Sequence, residues 1–491
     1  MKVIAKYTVV ILTILLIGCR LSLYAASPET GTDAKTDVED QLETEFDAGD
    51  EPTEFDPETE TETFDEENGI FEEDAEDDPF GDDAKKKQED GKSSFFAALL
   101  STARFTLKHE LFYKITRPDD IKSNRSSIRL EYSRSLGPHF FVQLDTKETL
   151  FWKNDHQAQA ENKEIMAENF TKEAFLQASF ADTSIKAGIQ NLIWGESEGG
   201  AVTDVISPRD YSETFFISLE EARIGQPMLL MDQFTFLGDF SAFFIPYAEF
   251  NQTPEENTAY YYDEFNEPVH FRKENSDGWS DYEIGGRWKK TFGQSDVALM
   301  AADLIENDYT YRFDGTTADG DMIITKAQKR FSMVGLTFNY VRGNFLYKGE
   351  MGIKSPRHFN TSTYQIKRKD VLDTALGLEY SPGGAYTLGL ELVNRHIMDW
   401  DNDLIGVPEN ASSVVLSWEK DFLNEDLSIS LLSIYYTPYE GYLHTLKTTY
   451  KWTDHLSFKL EAFCPDISNA KNDLRVYRDQ KQVAVKILFQ F

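Results

Sequence analysis

Along residues 94–491, apolar and polar residues alternate with a period of two, most clearly in the last ten residues. Five apolar side chains fall on one side of this segment: Val483, Val485, Ile487, Phe489 and Phe491. The other side carries Ala484, Lys486, Leu488 and Gln490. The same alternation occurs at 127–133, 281–288 and 386–392. A period of two predicts β-strands with one apolar face and one polar face.

The links between these segments alternate between short and long, which distinguishes a membrane barrel from a soluble sandwich. Short links lie at 136–138, 181–183, 293–295, 341–343, 382–384 and 453–455. Long links lie at 116–126, 152–172, 194–230, 251–278, 305–330, 355–370, 395–412, 437–442 and 465–481. Short periplasmic turns, longer outer loops and strands of roughly 8–13 residues are typical of outer-membrane barrels. We therefore predict an all-β fold over residues 94–491, a transmembrane antiparallel β-barrel of about 18 strands, with 16 as the alternative count.

The two faces of such a wall meet different surroundings. In a bilayer every backbone N–H and C=O group must be paired, and a closed barrel achieves this without a hydrophobic helix. The apolar face then contacts lipid, and the polar face lines an aqueous lumen. The alternation predicts lumen-facing charges at Arg129, Glu131, Lys186, Asp281, Glu283, Arg287, Lys348 and Glu350. Interface girdles are expected from aromatic residues at strand ends, namely Tyr113, Trp152, Trp194, Tyr340, Tyr380, Trp418 and Trp452.

The first 26 residues predict an export signal. Lys2 and Lys6 precede an apolar run at 9–17, and small residues follow it. This run is shorter than the roughly 20 residues that a membrane-spanning helix needs. Two alternatives for processing remain open. Residues 16–19 resemble a lipobox, which would place a lipid on Cys19, whereas Ala25 and Ala26 offer ordinary cleavage.

Residues 27–93 form an acidic segment of low complexity. The formal net charge of the chain is −36, and residues 29–90 contain 28 Asp and Glu against four Lys. Because the segment has few β-branched apolar residues, it cannot bury enough surface to fold, and we predict that it is disordered. An even strand number places it in the periplasm. It is either a solvated tail with a degenerate Phe-containing repeat or the binding site of a periplasmic partner.

The same charge balance excludes nucleic acid as the default partner, because phosphate binding needs clustered Lys and Arg. The chain has two cysteines, Cys19 and Cys464, so neither a disulfide framework nor a Cys-rich metal site is expected. The sequence motifs of serine hydrolases, nucleotide-binding loops and zinc proteases do not occur in it. We therefore predict that the chain is not an enzyme and uses no cofactor and no metal.

Two local patterns suggest other chemistry. Ser430 and His444 lie on neighbouring predicted strands, and we interpret them as a chance pair. Asp399, Asp401 and Asp403 alternate as in the first part of a Ca²⁺-binding loop. The glycine that such a loop needs comes two residues late, and its twelfth position is not Glu. We interpret this segment as a solvated acidic loop.

Specific stretches of the chain resemble known outer-membrane proteins. Its last three residues, Phe489-Gln490-Phe491, resemble the C-terminal assembly signal of Gram-negative outer-membrane barrels. Residues 188–196, 204–210 and 219–224 resemble a porin-like family of such barrels of unknown function, related to alginate-exporter-like barrels. The resemblance implies transport of material across the outer membrane of a Gram-negative bacterium. It also implies outer-membrane lipid and the barrel-assembly machinery as partners.

The third long link contains the sequence QNLIWGESEGGAVTDVISPRDYSETFF at 190–216, in which charges lie between glycines. In general porins, which the chain resembles in architecture, the third loop folds into the barrel and narrows it. Gly195, Gly199 and Gly200 would let the chain turn back without steric cost, and Pro208 would stiffen the inserted part. The resemblance then implies a charged pore constriction at Trp194, Glu196, Glu198, Asp204, Arg209, Asp210 and Arg223. The alternative is a surface loop with its own ion pairs.

Two functions are consistent with these patterns. The first is a porin-like channel for passive passage or export of small solutes through a loop-constricted lumen. The acidic excess predicts a weak cation preference for it. The second is a non-conducting scaffold or surface barrel whose acidic tail binds a periplasmic partner, with the apolar segment 95–100 as a plug. The sequence specifies neither the solute nor an oligomeric state.

Overall fold

The computed structural model describes residues 102–117, 120–197, 199–213, 221–263, 265, 268–274 and 281–491. Predictions about the export signal, Cys19, the acidic segment, residues 95–100 and Glu198 concern residues outside these ranges. Within them, no helix is long and apolar enough to cross a membrane. The two short helical elements are α1 (His156–Ala160) and a 3₁₀ turn at Asp473–Tyr477.

Strands make up most of the described chain. They are β1 (Ala103–Lys114), β2 (Asp120–Leu136), β3 (Phe140–Trp152), β4 (Ile165–Phe180), β5 (Thr183–Gln190), β6 (Gln226–Thr235), β7 (Gly238–Ile245), β8 (Val269–Lys273), β9 (Glu283–Phe292), β10 (Ser295–Ile305), β11 (Thr310–Thr316), β12 (Met322–Ala327), β13 (Arg330–Arg342), β14 (Phe345–Asn360), β15 (Ile366–Tyr380), β16 (Thr387–Ile397), β17 (Asn410–Phe422), β18 (Leu427–Thr437), β19 (Gly441–Lys451), β20 (Leu456–Asp466) and β21 (Gln482–Gln490).

Eighteen of these strands close into one antiparallel barrel, which confirms the predicted fold class and the larger of the two strand counts. Each barrel strand pairs with its neighbours along the chain. The first and last strands then pair with each other, with Thr106 opposite Gln490. Closure leaves no unpaired strand edge in the wall. Two further short turns, at 236–237 and 423–426, complete one end of the barrel.

Several strands are longer than predicted, and the outer links are correspondingly shorter. β2 has 17 residues and both β4 and β14 have 16. The first outer link is therefore 115–119 rather than 116–126. Apolar alternation stops where a strand leaves the lipid, but its backbone hydrogen bonds can continue into water. Sequence patterning consequently underestimates the part of each strand that projects outward.

The outer face of the wall is apolar. Large apolar side chains remain exposed along many strands, including Leu107, Ile128, Val334, Leu376 and Leu416. Aromatic side chains lie at the strand ends that meet the short turns, with Phe140 against Phe180 and Tyr340 against Tyr347. A closed wall that turns an apolar surface outward satisfies its backbone internally and contacts lipid. The chain is therefore a barrel of the outer membrane of a Gram-negative bacterium.

A second, smaller sheet lies in the fourth and fifth outer links, which the sequence analysis treated as irregular. β12 pairs with β11 in antiparallel orientation and with β8 in parallel orientation. Phe265 packs against Phe271 and Tyr311, with ring centroids 5.4 Å apart in both pairs. These strands come from separate links, so no local pattern indicates that they pair.

Candidate pore constriction in the third outer loop

The described residues of the third outer loop, 191–197, 199–213 and 221–225, lie inside the barrel rather than on its surface. Trp194 is only 2% exposed, and its ring meets the edge of Phe243 with centroids 5.3 Å apart. With Ile206 it belongs to an apolar cluster formed by inward-facing residues of β6, β7, β10 and β13. The interpretation of Trp194 as an interface girdle residue is therefore wrong. Its position near a strand end cannot distinguish a side chain that faces lipid from one that faces the lumen.

The first lobe of the loop, residues 195–203, is held by a carboxylate on β14. Glu350 accepts hydrogen bonds from the backbone N–H groups of Glu196 and Ser197, the latter at 2.6 Å. It also accepts from the N–H and the hydroxyl of Thr203, at 3.3 and 2.9 Å. Lys354, four residues further along the inward face of the same strand, donates to Ala201 O at 3.0 Å. These contacts bind the lobe to the wall by its backbone.

A second carboxylate, on β16, binds the tip of the same lobe. Glu391 accepts from the Ser197 hydroxyl and from the Gly199 N–H, both at 2.7 Å. β16 lies eight strands from β5 along the pairing order of an eighteen-stranded wall. Two strands on opposite sides of an eighteen-stranded barrel are nine positions apart in this order. A loop that leaves β5 and reaches β16 therefore crosses most of the lumen.

The described glycines of this lobe permit close approach between the loop and its surroundings. None of the described glycines in the lobe has a positive φ. A Cβ added at Gly199 would lie 2.5 Å from Val415 Cγ2 and 2.9 Å from Glu391 Oε1. One at Gly195 would lie 2.8 Å from Asp204 N. These positions are glycine because the wall and the loop backbone leave no room for a side chain.

Asp204 is the centre of an ion triad that joins the two ends of the loop. Its Oδ2 lies 2.8 Å from Arg209 Nη2 and 2.7 Å from Arg223 Nη2. Backbone pairing between Arg209 and Arg223 brings the two guanidinium groups to one carboxylate. All three residues belong to the predicted constriction, and the structure does bring them together.

The other predicted charges are not part of this triad. The Glu196 side chain accepts from the amide of Asn339 on β13, and Asp210 accepts from Ser212 N at 2.8 Å. Asp210 lines a cavity of about 90 Å³ with Glu213, Glu221 and Arg125. The single charged ring that we expected is therefore divided among separate groups at different walls.

The second lobe of the loop, residues 210–213 and 221, contacts the wall around β1–β3. Arg125 on β2 forms ion pairs with Glu213 and with Asp155, the latter at 2.9 Å. His156 Nε2 lies 3.2 Å from Glu213 Oε1. Asp155 also caps α1 by accepting from the N–H of Gln157. The second outer loop, the third outer loop and the wall thus meet at one guanidinium.

Electrostatics favour the charged forms of two carboxyls in this lobe. Burial alone would raise the pKa of Glu213, but Arg125 and His156 outweigh it and lower that pKa. Burial would likewise raise the pKa of Glu221, whereas Lys108, Lys147, Lys486 and Lys459 lower it to about 2. Burial raises the pKa of Asp210, and neither the hydrogen bonds from Ser212 nor the charge of Lys147 outweighs it.

No sequence pattern marked Arg125, Asp155, His156, Glu213 or Glu221 as part of this site. Arg125 lies at an inward position of β2, so the alternation of inward and outward residues along that strand could have identified it as lumen-facing. The other four lie in loops, where no periodicity applies.

Three of the eight lumen-facing charges expected from alternation, Arg129, Glu131 and Lys348, form ion pairs on the inward side of the wall. Arg129 Nη2 lies 2.5 Å from Asp145 and 3.4 Å from Glu131. Lys348 pairs with Glu379 on the next strand. Such pairs fix the register of neighbouring strands as well as the charge of the lumen.

The remaining predicted lumen residues differ in their surroundings. Lys186 lies over the ring of Phe175 at 5.7 Å, and Arg287 is opposite the buried Met300. Glu283 is 1% exposed and accepts from Ile305 N–H at 2.8 Å. Asp281 does not belong to the wall, because β9 begins two residues later, at Glu283.

On the outer side of the loop lies a cavity of about 590 Å³ with charged walls. Asp373 forms ion pairs with Lys354 at 2.5 Å and with Arg395 at 2.8 Å. Arg357 Nε lies 3.2 Å from Glu306 Oε1. This mixture of signs makes the cavity suitable for polar solutes of either charge.

The two alternative chemistries are not supported by the arrangement. His444 Nδ1 lies 3.0 Å from Ser433 Oγ, whereas Ser430 is opposite Lys447. Asp401 and Asp403 each pair with Lys367 at 2.9 Å. Among the described residues, no group of three or more His, Cys, Asp or Glu side chains could hold a metal ion.

The fold is similar to solved structures of outer-membrane porins. With OmpF of Salmonella typhi the identity is 12%, over 79% of this chain and 97% of that one, with a TM-score of 0.39. With OccAB1 of Acinetobacter baumannii it is 10%, over 79% and 96%, with a TM-score of 0.47. With OccK5 (OpdH) of Pseudomonas aeruginosa it is 10%, over 80% and 99%, with a TM-score of 0.45. No protein-family model and no curated protein matches the chain. The similarity therefore concerns the fold alone.

Proposed function

We propose that the protein is a porin-like channel through which small polar solutes pass the outer membrane by diffusion. The observation that carries this proposal is the attachment of the third loop to the far wall by Glu350 and Glu391. A loop held across a wide barrel narrows the lumen, and a narrowed lumen selects solutes by size and charge. The chain itself supplies neither energy nor a cofactor.

The distribution of inward charges supports a filter for polar solutes. Basic side chains are concentrated on β1–β3, β20 and β21, namely Lys108, Arg125, Arg129, Lys147, Lys459 and Lys486. The facing strands β14–β17 carry five carboxylates together with the basic Lys348, Lys354 and Arg395. The five are Glu350, Asp373, Glu379, Glu391 and Glu419. Opposed charges of this kind set a field across the lumen that orients polar solutes and excludes apolar ones. We retain a weak cation preference, because the chain as a whole is acidic.

Purified protein in a planar bilayer tests the proposal directly. We expect stepwise conductance, and a salt gradient should give a reversal potential that reports selectivity. Neutralising Glu196, Glu198 and Asp204 with Gln, Gln and Asn should shift this potential toward anions, because Arg209 and Arg223 lose their counter-charge. Asp403→Asn is the matched control, since Asp403 pairs with Lys367 outside the constriction loop.

A sealed bilayer that contains folded protein would reject the channel and favour the non-conducting scaffold. Unchanged selectivity in the triple variant would reject the assignment of the constriction but not the channel. The likeness to alginate-exporter-like barrels adds export as a second direction of transport. Solute flux measured from each side of the membrane distinguishes export from uptake.

A further inference from the structure

The third loop does not leave all sides of the lumen equally open. On the side of β6, β7, β10 and β13, apolar residues of the wall pack directly against Trp194 and Ile206 of the loop. Phe243 on β7 is 2% exposed there, and Met300 on β10 is 3% exposed. Packing of this density leaves no channel for water. Within the described residues, a polar solute therefore finds no passage on this side.

The side of β20, β21 and β1–β3 is closed by two outer links together. The second lobe of the third loop covers the wall there, and the cavities beside it have volumes of only about 90 and 80 Å³. Such cavities hold several water molecules rather than a solute. Tyr260, from the fourth outer link, lies over the same strands in an apolar cluster with Phe112 and Phe463. Its hydroxyl donates to Gln482 Oε1 at 2.9 Å, which fixes it to β21.

The side of β17–β19 lies beside the largest open space above the loop. The cavity of about 590 Å³ extends along the wall as far as β18, and its lining includes Gly199 and Gly200 at the tip of the first lobe. This tip reaches the wall at β17, where a Cβ on Gly199 would lie 2.5 Å from Val415 Cγ2. The second lobe reaches the wall at Arg125 on β2. Because Tyr260 covers β20, β21 and β1, the strands left between the two lobes are β18 and β19.

Inward residues of β18 and β19 become less buried toward the periplasm. Ile434 and Leu443 belong to the apolar cluster around Tyr260 and are buried. Leu432 and Thr445, which are opposite each other two residues nearer the periplasm, are only half-buried. We call the space in front of Leu432 and Thr445 the window.

We propose that solutes pass the third loop through the window, and that Lys447 and Glu419 then select them by charge. This inference rests on the proposed channel and assigns its path. Lys447 and Glu419 are opposite Ser430 on its two sides, and Lys447 is also opposite Glu461 of the lumen wall. Because cross-strand partners share a face, both charges point into the lumen. Both are exposed, one step beyond the window toward the periplasm.

Neither of these two charges is neutralised by a neighbour. Glu461, which is opposite Lys447, pairs instead with Lys486 at 2.8 Å. Among the residues that the structure describes, no ion pair includes Lys447 or Glu419. They lie two strands apart, which corresponds to about 10 Å along the wall. Unpaired charges in a narrow passage act on each solute that crosses it.

Cysteine modification of the full-length channel tests the path. In a Cys464→Ser background, Thr445→Cys should react with a methanethiosulfonate reagent that carries a sulfonate. The attached group should lower single-channel conductance by roughly half, because it fills the window. Ser241→Cys is the matched control, since Ser241 faces the lumen from β7, diametrically opposite β19. No effect at Thr445→Cys, or an effect of equal size at Ser241→Cys, would overturn the path.

Reversal potentials test the two charges separately. Lys447→Gln should raise the cation-to-anion permeability ratio about twofold, and Glu419→Gln should lower it by about the same factor, because each removes one unpaired charge. Lys420→Gln is the matched control. Lys420 is next to Glu419 on β17 but faces outward, over the ring of Phe422 at 5.1 Å.

The outcomes separate this inference from the proposed function. A conducting channel whose permeability ratio is unchanged in Lys447→Gln or Glu419→Gln, or changes equally in Lys420→Gln, would overturn the role of the two charges. A folded wild type that does not conduct would overturn the proposed channel itself and the path with it.

Discussion

Glu350→Gln should release the constriction loop from the far wall. The carboxylate accepts four hydrogen bonds from Glu196, Ser197 and Thr203, and three of their donors are backbone N–H groups. A glutamine has the same shape but one acceptor oxygen instead of two. It also turns an NH₂ group toward some of these donors, so part of the set is left without an acceptor.

The size of the effect follows from the chemistry of these bonds. Hydrogen bonds to a charged group contribute roughly 1.5–3 kcal/mol each and neutral ones about 0.5–1.5 kcal/mol. Four bonds that each lose about 1 kcal/mol would give about 4 kcal/mol if they were additive. Because neighbouring bonds are not additive, we expect about 3 kcal/mol, which changes the ratio of attached to detached loop by about two orders of magnitude.

Single-channel recording measures this ratio. We expect the variant to visit states of higher conductance about a hundred times more often than the wild type. This factor follows from the loss of about 3 kcal/mol of attachment free energy, since about 1.4 kcal/mol corresponds to a tenfold change in an equilibrium constant. Glu379→Gln is the matched control, because it removes a carboxylate that pairs with Lys348 on the same strand pair. A Glu350→Gln channel that is folded and has wild-type current and noise would refute the role of this tether.

Three further changes test other parts of the loop. Gly199→Ala should detach the tip of the first lobe and raise conductance, since its Cβ would lie 2.5 Å from Val415 Cγ2. Gly286→Ala, whose nearest contact would be at 3.4 Å, should not; equal effects of both on current would contradict the argument. Cation selectivity should fall as pH is lowered toward the raised pKa of Asp210, because that carboxyl loses its charge before Glu221 does, whose pKa is about 2. Asp210→Asn should remove this loss of cation selectivity. Glu221 behaves differently, because the stability that its charge contributes is complete above its ordinary pKa of 4.5 and is lost only as pH falls through about 2. Arg125→Ala leaves Asp155 and Glu213 buried without their cation, which costs about 3–5 kcal/mol. Trypsin should then cut the second outer loop at Lys153 or Lys163 much faster, an increase that Arg478→Ala, at an exposed pair, should not produce.

Local pattern in the sequence was sufficient for the wall of this protein. In β21, Val485, Ile487 and Phe489 are exposed outward while Ala484 and Lys486 are buried, as their alternation predicts. Alternation predicts the wall because successive residues of a strand face lipid and the aqueous lumen in turn. A bilayer also requires the strands to close into a barrel, because every backbone polar group must be paired. The alternation of short and long links then indicated the number of strands, because short turns join strands on one side of the membrane and longer loops join them on the other.

The ends of the strands and the small outer sheet could not be predicted in this way. Beyond the lipid both faces of a strand meet water, so polar residues no longer distinguish strand from loop. β8 and β12 pair although the links that contain them are separate in the chain. Their pairing depends on where the barrel places those links.

Only the tertiary structure decided what the third loop contacts. Its composition of charges and glycines indicated an unusual loop, and the resemblance to porins implied that it enters the barrel. The residues that hold it, Glu350, Glu391 and Arg125, lie in three distant strands. A carboxylate that faces the lumen has the same sequence signal whether it meets water, a lysine or a loop backbone. The physical difference between these outcomes is position across the barrel, which only closure of the wall determines.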